Sequence, residues 1–195
     1  MIEIPSDLHP DLVPLAFLLG HWEGAGVFDF PGDQKANFGQ EAIFTHDGRD
    51  FIEYVSHTWA LDSEGRKVRP IETESGFWRI GKDRKVEVVM VRDQGVVEVW
   101  YGELADQKPQ IDLATDAVAR TASSGPYSGG KRLYGYVKGD LMWVGEKSTP
   151  EVPLRPYMSA HLKKVSSAVT VTPEQVEDWA KDLGDLPDDG IAFFK

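Results

Sequence analysis

Gly20-His21-Trp22-Glu23-Gly24-Ala25-Gly26 is the stretch that most restricts what this chain can become. Gly20, Trp22, Gly24 and Gly26 recur at every second residue, so an extended strand carries all four on one face. An indole followed by two positions without side chains makes a platform with a vacant shelf beside it. Glycine weakens a strand. Two in step mark a place where another backbone or a ligand comes close, or where a barrel strand bends sharply. The stretch therefore reads as the bent first strand of a β-barrel, and a ligand shelf is compatible with that reading.

The chain around it agrees. Alternating or β-branched runs bounded by Gly, Asp or Pro fall at 22–30, 36–45, 51–61, 71–80, 86–92, 96–104, 110–114, 118–122, 131–137, 141–146 and 154–165. Pro31-Gly32-Asp33, Asp47-Gly48 and Lys138-Gly139-Asp140 supply tight turns between them. About ten short strands with hairpin-length links, and no helical period among them, predict an all-β antiparallel up-and-down barrel or a sandwich. Ahead of the first strand, residues 12–19 read as a turn or two of helix closed by Gly20 in a left-handed cap, placed to plug one barrel end.

Beyond residue 165 the character changes. Ser166-Ser167 reads as a linker and Thr172-Pro173-Glu174-Gln175 as a capping box with proline at the first helical position. Val176, Trp179, Ala180 and Leu183 then line one amphipathic face, with Gly184 as the C-cap. The tail Ile191-Ala192-Phe193-Phe194 is too apolar to float free. The expected organisation is a barrel domain over 1–165 and a linker, helix and tail over 166–195. The helix and tail would pack on the barrel wall or on a partner subunit, the latter making a homodimer.

Composition excludes several functions. A net charge of −11 leaves no basic face to neutralise phosphates, which argues against nucleic acid and against anionic membrane surfaces. The absence of cysteine removes disulfides, thiolate zinc sites and thiol nucleophiles, and fits a cytoplasmic protein. Residues 1–7 lack the basic start of a secretory signal, and the apolar run 13–19 contains Pro14 and is far too short to span a membrane.

The chemistry visible in the residues is sparse. Of the five histidines, His46 sits beside a turn and reads as a surface residue, whereas His57 alternates with Val55 and Trp59 and reads as a candidate for the core or lumen. Glu72 and Glu74 share a strand face; such pairs divide acid and base roles only where their surroundings split the pKa values, and an arginine partner, Arg79 or Arg132, is the plainer expectation. The run 123–130 (Ser-Ser-Gly-Pro-Tyr-Ser-Gly-Gly) lacks a Walker pattern and reads as a hairpin loop at the barrel mouth. No catalytic or metal-ligating set emerges. Trp22, Phe28, Phe44, Tyr54, Trp59 and Trp78, with Phe77, Trp100 and Tyr157, supply aromatic wall for a small apolar or aromatic ligand.

Five motifs in order resemble the nitrobindin family, haem-binding relatives of the fatty-acid-binding-protein and lipocalin-like barrels. They are Gly20-x-Trp22-x-Gly24-x-Gly26; Phe44-Thr45-His46-x-Gly48; Glu74-Ser75-Gly76-Phe77-Trp78-Arg79; Gly95-Val96-Val97-Glu98-Val99; and Pro153-Leu154-Arg155-Pro156-Tyr157-Met158-Ser159-Ala160. The resemblance implies a ten-stranded barrel holding ferric haem b at one end, nitric oxide binding, and isomerisation of peroxynitrite to nitrate. It also implies an axial histidine at the position held here by Tyr157, a haem-facing methionine where Lys147 stands, and in some members a Met-His pair where Ile71-Glu72 stand.

These departures set the expectations. Imidazole is a neutral donor to iron, whereas a phenol must first lose a proton of pKa about 10. Lys147 and Glu72 beside an apolar porphyrin would carry a desolvation cost. The expected function is a nitrobindin-like barrel that does not take haem in the family's way and binds a small molecule. The alternatives are tyrosinate-ligated ferric haem, then with nitric oxide or peroxynitrite chemistry, and a protein-interaction module built on the C-terminal helix. His161 would lie on the face of Tyr157, roughly 13 Å along a regular strand. One conflict is visible: Leu154, Met158, Ala160 and Leu162 are apolar on the opposite parity from Tyr157. Either Tyr157 is lumenal and the other face is covered, or a bulge near Pro156 flips the order.

Overall fold

The computed structural model describes residues 2–32 and 35–166. A 3-10 helix, Pro10–Leu15, precedes ten strands: β1 Gly20–Phe28, β2 Ala36–Thr45, β3 Ile52–Leu61, β4 Lys67–Ile80, β5 Lys85–Arg92, β6 Val96–Leu104, β7 Gln110–Arg120, β8 Gly129–Val137, β9 Asp140–Ser148 and β10 Arg155–Ser166. Each strand pairs antiparallel with the next, and β1 also pairs with β10, so the sheet closes into a barrel and leaves no edge unpaired. Period-two patterning drives this: along β5, Val86, Val88, Met90 and Arg92 point in while Lys85, Glu87, Val89 and Val91 point out. The expected linker, helix and tail over 166–195 fall, except for Ser166 at the end of β10, outside the described residues.

The two segments at 110–114 and 118–122 are one strand, β7. Val99 pairs with Ala117 and Trp100 with Thr115, so Asp116 is an extra residue in a bulge, and it interrupts the apolar alternation without ending the strand. The plug exists but differs from its expected form. It is a 3-10 turn ending at Leu15, with Pro10 and Pro14 removing backbone donors. Gly20 is not its left-handed cap; at φ +127° it is the first residue of β1. Leu12, Leu15, Phe17, Leu18 and Leu19 are buried, and Trp22 Nε1 donates to the Leu18 carbonyl at 2.7 Å, tying plug to barrel.

The glycine pair has a backbone reason. A Cβ at Gly24 would lie 2.0 Å from the His161 carbonyl oxygen, and one at Gly26 would lie 2.1 Å from that of Ser159. Both glycines let β10 close against β1. The shelf beside Trp22 is filled from within, because Phe38, the cross-strand partner of Gly26, lays its ring where a Cβ would be 2.5 Å away. Aromatic cover of a strand glycine is a known device of curved sheets.

Candidate functional site

β1 leaves the plug at Gly20 and reaches the opposite end at Phe28, whose partner on β10 is Met158. The polar side chains of the interior gather towards that far end. Register explains how. Glu72 and Glu74 share the inward face of β4 with Gly76 and Trp78, Arg92 ends the inward row of β5, and Glu98 follows Val96 in that of β6. Arg132, from β8, faces them across the lumen.

These five charges form one buried network. Arg132 holds Glu74 through both carboxylate oxygens, Nη1 donating to Oε2 at 2.8 Å and Nη2 to Oε1. Arg92 Nε donates to Glu98 Oε2 at 2.8 Å, and its Nη1 reaches Glu72 Oε1 at 3.4 Å. Tyr54 donates to Glu74 at 3.1 Å, and the Tyr127 hydroxyl donates to Glu98. Arg132 also packs over Trp100 and Trp143, at 5.3 and 5.4 Å from the ring centroids. A second polar layer runs from Trp143 Nε1 to Gln40 and on to Ser56, at 2.7 and 2.9 Å. Two arginines against three glutamates would leave a net negative charge. Burial pushes the Glu72 carboxyl up to about 7, against the pull of Arg92. Burial would also raise Glu74, but Arg132 dominates and holds it down at about 2. The two carboxyls are split, one a shared proton site and the other a permanent anion.

The structure brings three of the residues singled out by the resemblance together here. Pro156 pairs with Glu146 and Met158 with Gly145, so Tyr157 is the extra residue of a bulge. Tyr157, Met158, Ala160 and Leu162 are consequently all buried, which settles the parity conflict in favour of a flip near Pro156. The Tyr157 ring stands edge-on to Phe28 and Phe30 with centroids 6.3 and 6.5 Å apart, and Lys147 Nζ lies 5.5 Å from its centroid. Burial raises the Tyr157 hydroxyl pKa, while Arg132 and Arg92 pull it back. Ile71 is likewise a bulged residue, since Thr58 pairs with Glu72 and Trp59 with Pro70; it packs half-buried at the core margin. Gly20, Trp22, Gly24 and Gly26 are not in this group and serve the plug and the seam.

Several sequence expectations are corrected. His161 does not share the face of Tyr157: the bulge turns it outward, where Nε2 meets Asp140 Oδ2 at 2.6 Å. His57 is on the outer surface beside Thr73, not in the lumen. His46 is buried rather than a surface residue, its Nδ1 accepting from the Gly48 amide at 3.3 Å. Phe77 is exposed, and Trp59 is only half-buried, under Lys67. Arg79 lies outside against Phe51, so Arg132 alone of the two candidates meets Glu74. Sequence reasoning assigns Arg92, Glu98 and Tyr127 no site role, although Glu98 lies in one of the five motifs and Tyr127 in the 123–130 loop. Strand parity was the available signal for the first two, since Arg92 continues the row of Val86, Val88 and Met90, and Glu98 sits two before Trp100.

A haem can be tested against these donors. None of the five histidines faces the polar end: His9, His21 and His46 are near the plug, and His57 and His161 point outward. The inward groups are a phenol raised by burial and a salt-bridged wall. These residues do not fit an imidazole-ligated haem.

A closed ten-stranded antiparallel meander, plugged at one end and polar inside at the other, defines the class of up-and-down β-barrel domains. Comparison with known proteins sharpens this. Residues 11–164 match the family of THAP4-like, heme-binding beta-barrel domains. A ferric nitrobindin-like protein of Streptomyces griseus is 80% identical over 195 residues, covering all of both chains. A peroxynitrite isomerase of Nocardioides sp. is 46% identical over 160 residues, 82% of this chain and 96% of that one. The crystal structure of Rv2717c from M. tuberculosis superposes with a TM-score of 0.73 at 25% identity, covering 80% of this chain and 98% of that chain. The chain belongs to the nitrobindin family of heme-binding β-barrels.

Proposed function

We propose that this barrel has exchanged an axially ligated haem for a polar chamber that takes a small molecule, and that it works as a binding protein without a catalytic residue of its own. The observation that carries the reading is Tyr157, bulged into the polar end under Lys147 and opposite the Glu72–Arg92 pair. The ligand class follows from donors left over. Arg132 Nε and Trp100 Nε1 are buried and have no acceptor among the described residues, and the Arg132 guanidinium lies 5.3 Å from the Trp100 ring. An aromatic or apolar molecule carrying a hydrogen-bond acceptor would satisfy them and stack on the wall. No helix among the described residues is long and apolar enough to cross a membrane, and an acidic chain without cysteine fits a cytoplasmic carrier.

One observation favours a second reading. Burial keeps the Tyr157 hydroxyl raised, but Arg132 and Arg92 draw it back towards phenolate, the form that ligates ferric iron, and a relative is named peroxynitrite isomerase. A hemin titration of the purified chain, followed in the Soret region, separates the two. The first reading expects no saturable one-to-one shift in the natural protein and a gained shift in Tyr157→His. A saturable shift that disappears in Tyr157→Phe overturns it in favour of tyrosinate ligation.

A further inference from the structure

The outer wall of the barrel is not uniformly polar. Where β1, β10, β9 and β8 run side by side, Val27, Leu133, Val137, Met142 and Val144 each keep 41–48% of their surface exposed. They line a shallow groove of about 460 Å3 that also reaches Gln110 on β7. Apolar side chains scattered singly on a surface need no explanation; a contiguous groove across several strands marks a covered face.

What covers it can be argued from where the described chain stops. β10 is itself one wall of the groove, and it ends at Ser166, five residues past His161 on the groove margin. From Ser166 back to the groove is therefore about 17 Å along the strand. The six steps from Ser166 to Thr172 can span at most about 20–22 Å, so Thr172 reaches the groove margin with the linker turned back and close to full extension. The helix expected over residues 172–183 would be about 18 Å long. Five strands, β1 to β7 through β10, β9 and β8, are about 19 Å wide at their usual spacing. That helix carries one apolar face, Val176, Trp179, Ala180 and Leu183. Charge does not choose the occupant: residues 172–189 hold seven acids and one lysine, and the lysines beside the groove, Lys131, Lys138 and Lys163, alternate with Glu23, Asp112, Asp140 and Glu146. Reach, length and the apolar face do.

We propose that the groove on the β1–β10–β9–β8 wall is the docking site for the chain's own segment 172–183, laid across the strands with its apolar face inward. The absence of native cysteine makes a clean test in the full chain. One cysteine goes on the segment, Ala180→Cys, and one in the groove, Val144→Cys or Leu133→Cys in separate variants. The control places the second cysteine on the opposite wall at a polar exposed position, His57→Cys on β3. Val89→Cys on β5, 44% exposed in a second apolar patch with Phe77 and Val91, is run beside it, and a faster crosslink there would overturn the proposal as well. The barrel positions are exposed, and circular dichroism checks the fold. With a short bifunctional thiol reagent at low protein concentration, a groove cysteine is expected to give an intrachain crosslink at least about tenfold faster than the control, as tethered docking requires. Crosslinks between chains would assign the groove to a second copy and overturn the proposal. Equal rates for groove and control positions would overturn it too.

Discussion

Removing Arg132 tests whether the buried network holds the barrel together. Arg132 is 2% exposed and supplies both oxygens of Glu74 with donors. In Arg132→Met the stem is replaced at similar volume, and Glu74 keeps only the Tyr54 hydroxyl at 3.1 Å and a distant Arg92 Nε at 3.5 Å. Breaking a buried pair from one side costs about 3–5 kcal/mol, because the remaining charge is stranded. In a domain of this size that lowers Tm by roughly 6–20 °C. Removing both partners, Arg132→Met with Glu74→Leu, leaves Arg92 with Glu98 and with Glu72, whose carboxyl is raised to about 7, so the double variant should recover about 2 kcal/mol or more of the loss. The assay is urea unfolding followed by tryptophan fluorescence, with circular dichroism as a second probe of two-state behaviour. A single-variant loss below about 1 kcal/mol, or a double variant as unstable as the sum of the singles, would refute the reasoning.

Three further outcomes follow from the same geometry. Glu72 has its folded-state pKa raised to about 7, so its folded form holds the proton; the stability it contributes is full below about 4.5 and is lost as pH rises through 7. Glu72→Gln should therefore match the natural protein near pH 4 and exceed it by on the order of 3 kcal/mol at pH 8, read from urea curves at the two pH values. Tyr127→Phe removes the donor to the fully buried Glu98 and should cost about 1.5–3 kcal/mol in the same assay, whereas a neutral result would place solvent at that carboxylate. Gly26→Val drives a side chain into the Ser159 carbonyl and the Phe38 ring at the β1–β10 seam, and should cost at least about 3 kcal/mol, while Gly125→Ala, with open space around it, changes Tm by less than about 2 °C.

How far the sequence could be read depended on whether a feature kept its period. The barrel was legible because turns such as Asp47-Gly48 and Lys138-Gly139 separate runs whose alternation survives in the structure, as along β5. The seam was legible as well: two glycines in step do admit a neighbouring backbone, although the shelf they leave belongs to Phe38 and not to a ligand. Bulges were the limit. One added residue at Asp116 split β7 into two apparent strands, and one at Tyr157 reversed the face of everything after it, carrying His161 out of the lumen. Period-two reasoning has no term for an extra residue, so only the conflict between Tyr157 and its apolar neighbours gave the bulge away.

The network was hidden for a different reason. Glu74 and Arg132 are 58 residues apart, and their pairing exists only once the barrel closes. Arg92 and Glu98 lie six apart across one hairpin and follow strand parity inward, yet charges at a strand end are ordinarily solvated, so parity alone could not tell a buried pair from a rim. Their burial, 9% and 0% exposed, becomes reasonable only because each charge is met: Glu98 by Arg92 and Tyr127, Arg92 by Glu72 and Glu98. Several of the places where local rules fail lie together. Tyr157 and Ile71 break the strand register, Glu72 resists ionisation, and Arg132 keeps a donor with no acceptor among the described residues, all in or beside the polar end of one barrel. The plug end has departures of its own, a register shift between His21 and Trp22 and a buried Trp78 Nε1 with no partner among the described residues, but only the polar end combines such departures with buried carboxylates and arginines.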